Sequence, residues 1–311
     1  VVGLGVNDFR IRHVAVPLRV GAGLRILHIS DIHYVPGQRK KFAWLQSLAE
    51  LKPDLVINTG DNLSHPDAVG EVLEALEPLR QFPGVFVGGS NDYFAPTWRN
   101  PLRYFRGPSK LDAEPESLDW QRLFSGFESS GWKNLNNRTA SLTVAGQQLS
   151  FSGMDDPHIG RDDFQGWPAS GGTEQTPGSA QAHSAEAEPL RIGVAHAPVS
   201  AALDTLAGNG AELILAGHTH GGQVCLPGGR ALVTNCDLPR SQAKGLSSVQ
   251  VPSQQLPGGQ GPGREVPGRR AEPAREVPLH VSAGIGTSRT APVRLFCPPE
   301  ATLIEVQHKT T

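Results

Sequence analysis

The chain has 311 residues, 38% of them hydrophobic and 19% charged, and its 28 basic and 30 acidic side chains leave a formal net charge of −2. That length suits one large domain or two small ones, and the near-neutral balance argues against nucleic-acid binding through a broad positive field. Three cysteines with no Cys-x-x-Cys pair exclude a disulfide framework, and Cys225, in an apolar strand pattern, reads as a buried thiol. No apolar run reaches the length that spans a bilayer. Val1 stands where an initiator Met would, which suggests a trimmed chain, cytoplasmic or membrane-associated through a missing N-terminal segment.

In chain order, residues 9–20 alternate well enough for an edge strand, with His13 at the surface. Leu24 to Ser30 form a strong strand that ends in Asp31-Ile32-His33, and His28 inside it reads as a packed, hydrogen-bonded histidine. Apolar residues at 42, 44, 45, 48 and 51 predict a helix over 39–51, closed by Pro53. Leu55 to Thr59 form the next strand, ending in Gly60-Asp61-Asn62. Pro66 can open a helix whose apolar face is Val69, Val72, Leu73, Leu76 and Leu79. Val85-Phe86-Val87 is a third strand and runs into Gly88-Gly89-Ser90-Asn91-Asp92. Three strand–helix repeats argue for parallel βαβ units, on this pattern alone a doubly wound sheet. Ligands of such sheets gather at the carboxyl ends of strands, where all three polar clusters sit.

Residues 95–118 read as a proline-rich surface loop that could wall a substrate site, and 119–129 as a short helix with Trp120, Leu123, Phe124 and Phe127 on one face. A β-hairpin over 140–144 and 148–152 runs into Gly153-Met154-Asp155-Asp156-Pro157-His158. Residues 168–189 and 240–277 have the composition of flexible insertions in a single domain spanning 1–311. Arg191 to Ala195 form a strand ending in His196, followed by a helix from about Val199 to Ala207. The apolar run Leu213-Ile214-Leu215-Ala216 delivers Gly217-His218-Thr219-His220-Gly221-Gly222. If that segment is extended, both imidazoles face one small volume. A further hairpin is expected over 223–226 and 231–233, with closing strands at 279–282 and 301–306. The Gly284-Ile285-Gly286 between them lacks the spacing of a dinucleotide fingerprint.

Asp31, His33, Asp61, Asn91, His196, His218 and His220 are thus all candidate ligands at strand ends. Seven mixed oxygen and nitrogen donors are too many for one tetrahedral ion and enough for two divalent ions of Mn, Fe or Zn sharing a carboxylate. No Gly-x-Ser-x-Gly elbow supports a serine hydrolase.

Asp31-Ile32-His33, Gly60-Asp61-Asn62, Gly89-Ser90-Asn91-Asp92, Ala195-His196-Ala197-Pro198 and Gly217-His218-Thr219-His220 together resemble the motifs of the calcineurin-like metallophosphoesterases, over roughly 24–222. The Gly-Gly-Gln that follows resembles the bacterial phosphodiesterase branch that includes YkuE and YaeI. The resemblance implies an α/β fold, a two-sheet β-sandwich flanked by helices, in place of the doubly wound sheet. It implies one metal on Asp31, His33 and His220, another on Asn91, His196 and His218, and Asp61 bridging both. It implies hydrolysis of a phosphoester, a phosphodiester or pyrophosphate above all, by a metal-activated hydroxide, with a small phosphoester or lipid-linked phosphate as substrate; the alternative is a metal-bound interaction scaffold of the same fold without turnover, and the lack of a basic stripe argues against a nucleic-acid substrate. Asp61, Asn91 and Asp92 are the candidate catalytic residues, and Asn62, Asp92 and Asp156 the candidates for orienting ligands or substrate. One motif departs from the family pattern, Gly-Asn-His-Asp/Glu. Here Ser90 or Asn91 takes the ligand's place, and the histidine that protonates the leaving group is missing, so good leaving groups, or an acid such as His158 or a water, are expected.

Overall fold

A computed structural model describes residues 5–19, 23–96, 115–169, 188–252, 275–287 and 292–308. Most of the expected loop at 95–118, the interior of both expected insertions and the end of the 284–289 stretch lie outside these residues.

Among the described residues, twelve strands form two six-stranded sheets. They are β1 (Arg10–Leu18), β2 (Arg25–Ile29), β3 (Leu55–Asn58), β4 (Gly84–Phe86), β5 (Lys133–Asn134), β6 (Thr139–Val144), β7 (Gln147–Met154), β8 (Leu190–Ala195), β9 (Leu213–Ala216), β10 (Gly245–Val251), β11 (Arg275–Val281) and β12 (Glu300–His308). The first sheet has the order β1-β12-β2-β3-β4-β5 and the second β10-β11-β9-β8-β7-β6. β2, β3 and β4 run parallel side by side, as the βαβ reading requires, and so do β7, β8 and β9. β12 joins antiparallel to β2, which makes the first sheet mixed.

Period-two alternation decides how the sheets stack. Ile26, Leu55, Ile57 and Ile304 of the first sheet and Leu149, Phe151, Ile192, Leu213 and Leu215 of the second share one buried cluster between the sheets. The opposite face of the first sheet, with Leu27, Ile29, Val56 and Leu303, packs against α1 (Arg39–Ser47), α2 (Ala68–Ala75) and α4 (Trp120–Glu128). The opposite face of the second, with Ile214, Leu279 and Val281, packs against α5 (Ser200–Gly208). The short α3 (Ser90–Tyr93) lies at the site. This is a helix-flanked two-sheet sandwich, not a single doubly wound sheet: the second half of the chain builds its own six-stranded sheet and buries one face against the first.

Several local expectations are corrected. Residues 240–277 are not one unstructured tract: β10 and the start of β11 fall inside it, paired antiparallel. Val249 and Val251 supply a short apolar alternation that packs on the α5 side, and the surrounding Gly-Pro composition hides it. The hairpin at 223–233 reduces to a single bridge between Cys225 and Ala231. The helix expected from Pro66 begins at Ala68, after an Asp67 that caps it without a side-chain hydrogen bond.

His28 is packed as expected, and its partner lies in the other sheet. His28 Nδ1 meets His280 Nδ1 of β11 at 2.9 Å, and His28 Nε2 meets Thr59 Oγ1 at 2.9 Å. Both rings are fully buried. Burial, with the charge of Arg12 adding to it, pushes His280 down to about 4. As pH falls through the unfolded value near 6.5, the unfolded chain takes up a proton that the folded imidazole refuses. Stability is therefore lost between about pH 6.5 and 4, by about 3 kcal/mol for His280 alone. Chemical unfolding across that range should show the native protein losing about that much more stability than His280→Gln. Equal losses would mean that His280 is not held neutral.

Candidate metal centre

The polar clusters meet at the carboxyl ends of β2, β3, β4, β8 and β9, so the site straddles both sheets. Backbone pairing continues past the strands and fixes the loops to one another. Asp31 N–H donates to Gly60 O at 2.8 Å, His33 N–H to Asp61 O at 2.9 Å, and Gly217 N–H to His196 O at 2.8 Å. Asp31, His33, Asp61, His218 and His220 all adopt left-handed φ, between 44° and 68°. For residues other than glycine that conformation costs of the order of 1–3 kcal/mol each. It turns each chain sharply at its strand end and aims the side chain inward. It also overturns the extended reading of His218 and His220: their rings face different neighbours.

Two donor clusters result, Asp31–His33–His220 and Asp61–His196–His218, each compact enough to hold one cation. In the first, His33 Nε2 and His220 Nε2 are 3.1 Å apart, and His220 Nε2 is 3.7 Å from Asp31 Oδ1. In the second, His218 Nδ1 and His196 Nε2 are 3.2 Å apart, and His196 Nε2 is 3.4 Å from Asp61 Oδ2. The same Asp61 Oδ2 lies 3.5 Å from His33 Nε2 of the first cluster. Asn91 joins them: its backbone N–H donates to Asp61 Oδ1 and its side-chain amide to Asp61 Oδ2, both at 2.8 Å. Ser90 instead donates its backbone N–H to Asp156 Oδ2 at 2.8 Å.

The donor set fits cations. His196 Nδ1 faces the Thr59 carbonyl at 2.7 Å and must donate there, which turns Nε2 toward the cluster. Ser64 Oγ holds the far nitrogen of His33 at 3.0 Å in the same way. Burial pushes His33 down to about 4 and His218 down to about 3, and lowers His220 well below its ordinary value. These imidazoles are therefore neutral, the form that ligates metal. Burial alone would raise Asp61, but His196, by charge and hydrogen bond, and His33 hold it well below the usual carboxylate range. Burial opposes charge on His196 as well; Asp61, Asp156 and Asp31 around it nevertheless raise it well above its ordinary value. Asp31 is pushed up to about 6 by burial and by Asp61, with His196 opposing.

Asp92 has a different place. Its carboxylate accepts the backbone N–H groups of Asp61 at 2.9 Å, Asn62 at 2.7 Å and Gly89 at 3.0 Å, so it grips the loops that carry the donors. Asn62 donates its side-chain amide to Asp92 at 3.3 Å. Asp156 accepts from Ser90 and from His158 N–H at 2.9 Å. The His158 ring lies against that of His218, with centroids 4.1 Å apart.

Two buried basic side chains support the site without a sequence motif to announce them. Lys41 of α1 donates to Ile32 O at 2.7 Å and His33 O at 3.3 Å. Arg294 donates to His220 O at 3.1 Å, to Gly284 O at 3.2 Å and to Gly286 O, and lies 3.3 Å from His220 Nδ1. The signal for Arg294 is a charged residue inside the otherwise apolar Val293-Arg294-Leu295-Phe296.

Among the described residues, no helix is long and apolar enough to cross a membrane. A search of curated proteins returns no match. A family model for calcineurin-like phosphoesterases matches residues 24–222, the segment that carries every residue of both donor clusters. With well over half of its length matched, the chain belongs to the calcineurin-like phosphoesterase family, whose members hydrolyse phosphoesters with divalent metals.

Proposed function

We propose that the chain is a dinuclear metal-dependent hydrolase of phosphodiester or pyrophosphate bonds, acting on a small or lipid-linked phosphate. The observation that carries this reading is the placement of Asp61 Oδ2, 3.5 Å from one cluster's histidine and 3.4 Å from the other's. A carboxylate so placed can serve both positions. Asp31, His33 and His220 would hold one divalent ion, and His196, His218 and Asn91 the other, with Mn, Fe or Zn suited to the mixed donors. Bound there, such ions acidify a water toward neutrality and neutralise phosphoryl charge.

The chain's own residues do the rest. Thr59 and Ser64 set the imidazole orientations, and Asp92 holds the 60–62 and 89 loops in register. Asn91 is preferred to Ser90 as a ligand because its amide already reaches Asp61 Oδ2, and turning the amide presents its oxygen to the same point. With no histidine in Gly89-Ser90-Asn91-Asp92, leaving-group protonation falls to His158 beside His218 or to a water, and good leaving groups are favoured. Kinship with the YkuE and YaeI branch is part of the same proposal.

The test is hydrolysis of a chromogenic phosphodiester, a phosphomonoester and a lipid–sugar pyrophosphate by metal-reconstituted protein. Turnover of the diester or pyrophosphate supports the reading; bound metal without turnover of any of the three refutes it. His218→Ala and His220→Ala should each weaken a different metal position, seen as loss of one ion per chain with distinct affinities for the remaining one. Loss of the same ion in both would contradict the division. Asn91→Ala should lower metal affinity by at least about 10–100-fold, since loss of a group that only orients a ligand already costs that much, while Ser90→Ala leaves it unchanged. Metal titration decides between the two residues.

A further inference from the structure

Two of the three cysteines converge beneath the turn that carries His220. Cys225 follows that turn and Cys297 precedes β12, and both side chains are buried. Their segments run side by side: Val224 and Leu295 form a parallel bridge, Cys225 N–H donates to Leu295 O at 2.9 Å, and Leu295 N–H donates to Gln223 O at 3.0 Å. Both thiols point at one carbonyl. Cys225 Sγ lies 3.2 Å from Gly221 O, while Cys297 Sγ lies 3.5 Å from it and 3.4 Å from His220 O. Lys244 Nζ stands 3.4 Å from Cys297 Sγ and 4.0 Å from Cys225 Sγ, a cation that favours negative charge on sulfur during nucleophilic attack. Flanking Leu226 and Phe296 are exposed, so the pair sits one residue below the surface.

We propose that Cys225 and Cys297 form a redox-sensitive pair that closes to a disulfide with a hydroperoxide as oxidant, and that the bridge releases the His220 turn. One thiol attacks the peroxide oxygen, giving a sulfenic acid and water. The other thiol displaces the hydroxyl as a second water, so that two thiols are oxidised and one hydrogen peroxide is reduced to two waters. Closure to an S–S bond of about 2.05 Å removes both S–H donors from the His220 and Gly221 carbonyls. There is no slack to absorb the movement: Gly221 has φ +59°, and a Cβ there would lie 2.8 Å from Cys297 Sγ. The displacement therefore passes to His220 and the Asp31–His33–His220 position. This consequence rests on the proposed metal centre; the bridge itself does not.

The experiment treats manganese-reconstituted protein with hydrogen peroxide, then maps peptides under non-reducing conditions and measures bound manganese and phosphodiesterase rate. The expected result is a 225–297 cross-linked peptide, loss of one manganese per chain and a rate reduced by at least about tenfold, all reversed by dithiothreitol. Cys225→Ser should keep its metal and rate under the same treatment. Absence of the cross-link, or equal inactivation of Cys225→Ser, overturns the pair. A cross-link with metal and rate unchanged overturns its coupling to His220. Failure of the metal-centre reading is separate, because reduced protein would then bind no manganese whatever the thiols do.

Discussion

Asp61→Asn should lower turnover by more than about 100-fold and weaken metal binding at both positions at once. Groups that merely orient a ligand typically cost about 10–100-fold when lost, and Asp61 is proposed as a ligand at both positions. Asn preserves the shape but removes the charge. Its single oxygen cannot both accept the Asn91 backbone N–H, as Oδ1 does at 2.8 Å, and face His33 and His196, as Oδ2 does. The surroundings magnify the loss, because His196 and His33 hold the Asp61 carboxylate well below its usual range and Asp61 is buried. Metal content measured alongside initial rates separates this account from simple misfolding. A variant that binds two ions with native affinity and turns over normally would show that Asp61 does not bridge.

The second large effect is expected from a methyl group. Gly217→Ala would drive its Cβ onto Ser30 Oγ and to 2.7 Å from Asp31 Oδ2 and 3.0 Å from Thr59 Oγ1. None of the three can retreat cheaply. Ser30 is buried and donates to Asp31 Oδ2 at 2.6 Å, and Asp31 accepts the His218 N–H at 2.9 Å. Overpacking of this kind costs about 1–3 kcal/mol, and here relief of the clash moves Asp31 and His218 apart. The expected outcome is a lower melting temperature together with near-complete loss of activity. Gly146→Ala, in the hairpin between β6 and β7, is the control: φ is +75°, but nothing lies within 4 Å of the added Cβ. It should cost some stability and leave activity intact. Full activity in Gly217→Ala would mean that the two loops are not packed as described.

The sequence exposes the donors better than the geometry that makes them useful. Asp31, Asp61, His196 and His218 stand out because each follows an apolar run that reads as a strand, and ligands of parallel sheets gather at the carboxyl ends of strands. Their left-handed backbone is not readable in the same way. Nothing in Asp31-Ile32-His33 announces a positive φ, and the neighbouring glycines suggest flexibility rather than a turn at His218 itself. The pairing of His28 with His280 is equally hidden, because it joins strands of different sheets. Arg294 and Lys41 act on the site from distant segments through backbone carbonyls, contacts that leave no spacing pattern. The strand at 245–251 escapes because glycine- and proline-rich sequence on its C-terminal side outweighs a short apolar alternation.

The most direct test of the proposed dinuclear centre is anomalous diffraction from crystals of the manganese-loaded protein. Two anomalous peaks are predicted, one within ligand distance of Asp31, His33 and His220 and one of His196, His218 and Asn91, with Asp61 between them. A single peak, or peaks away from Asp61, would contradict the account.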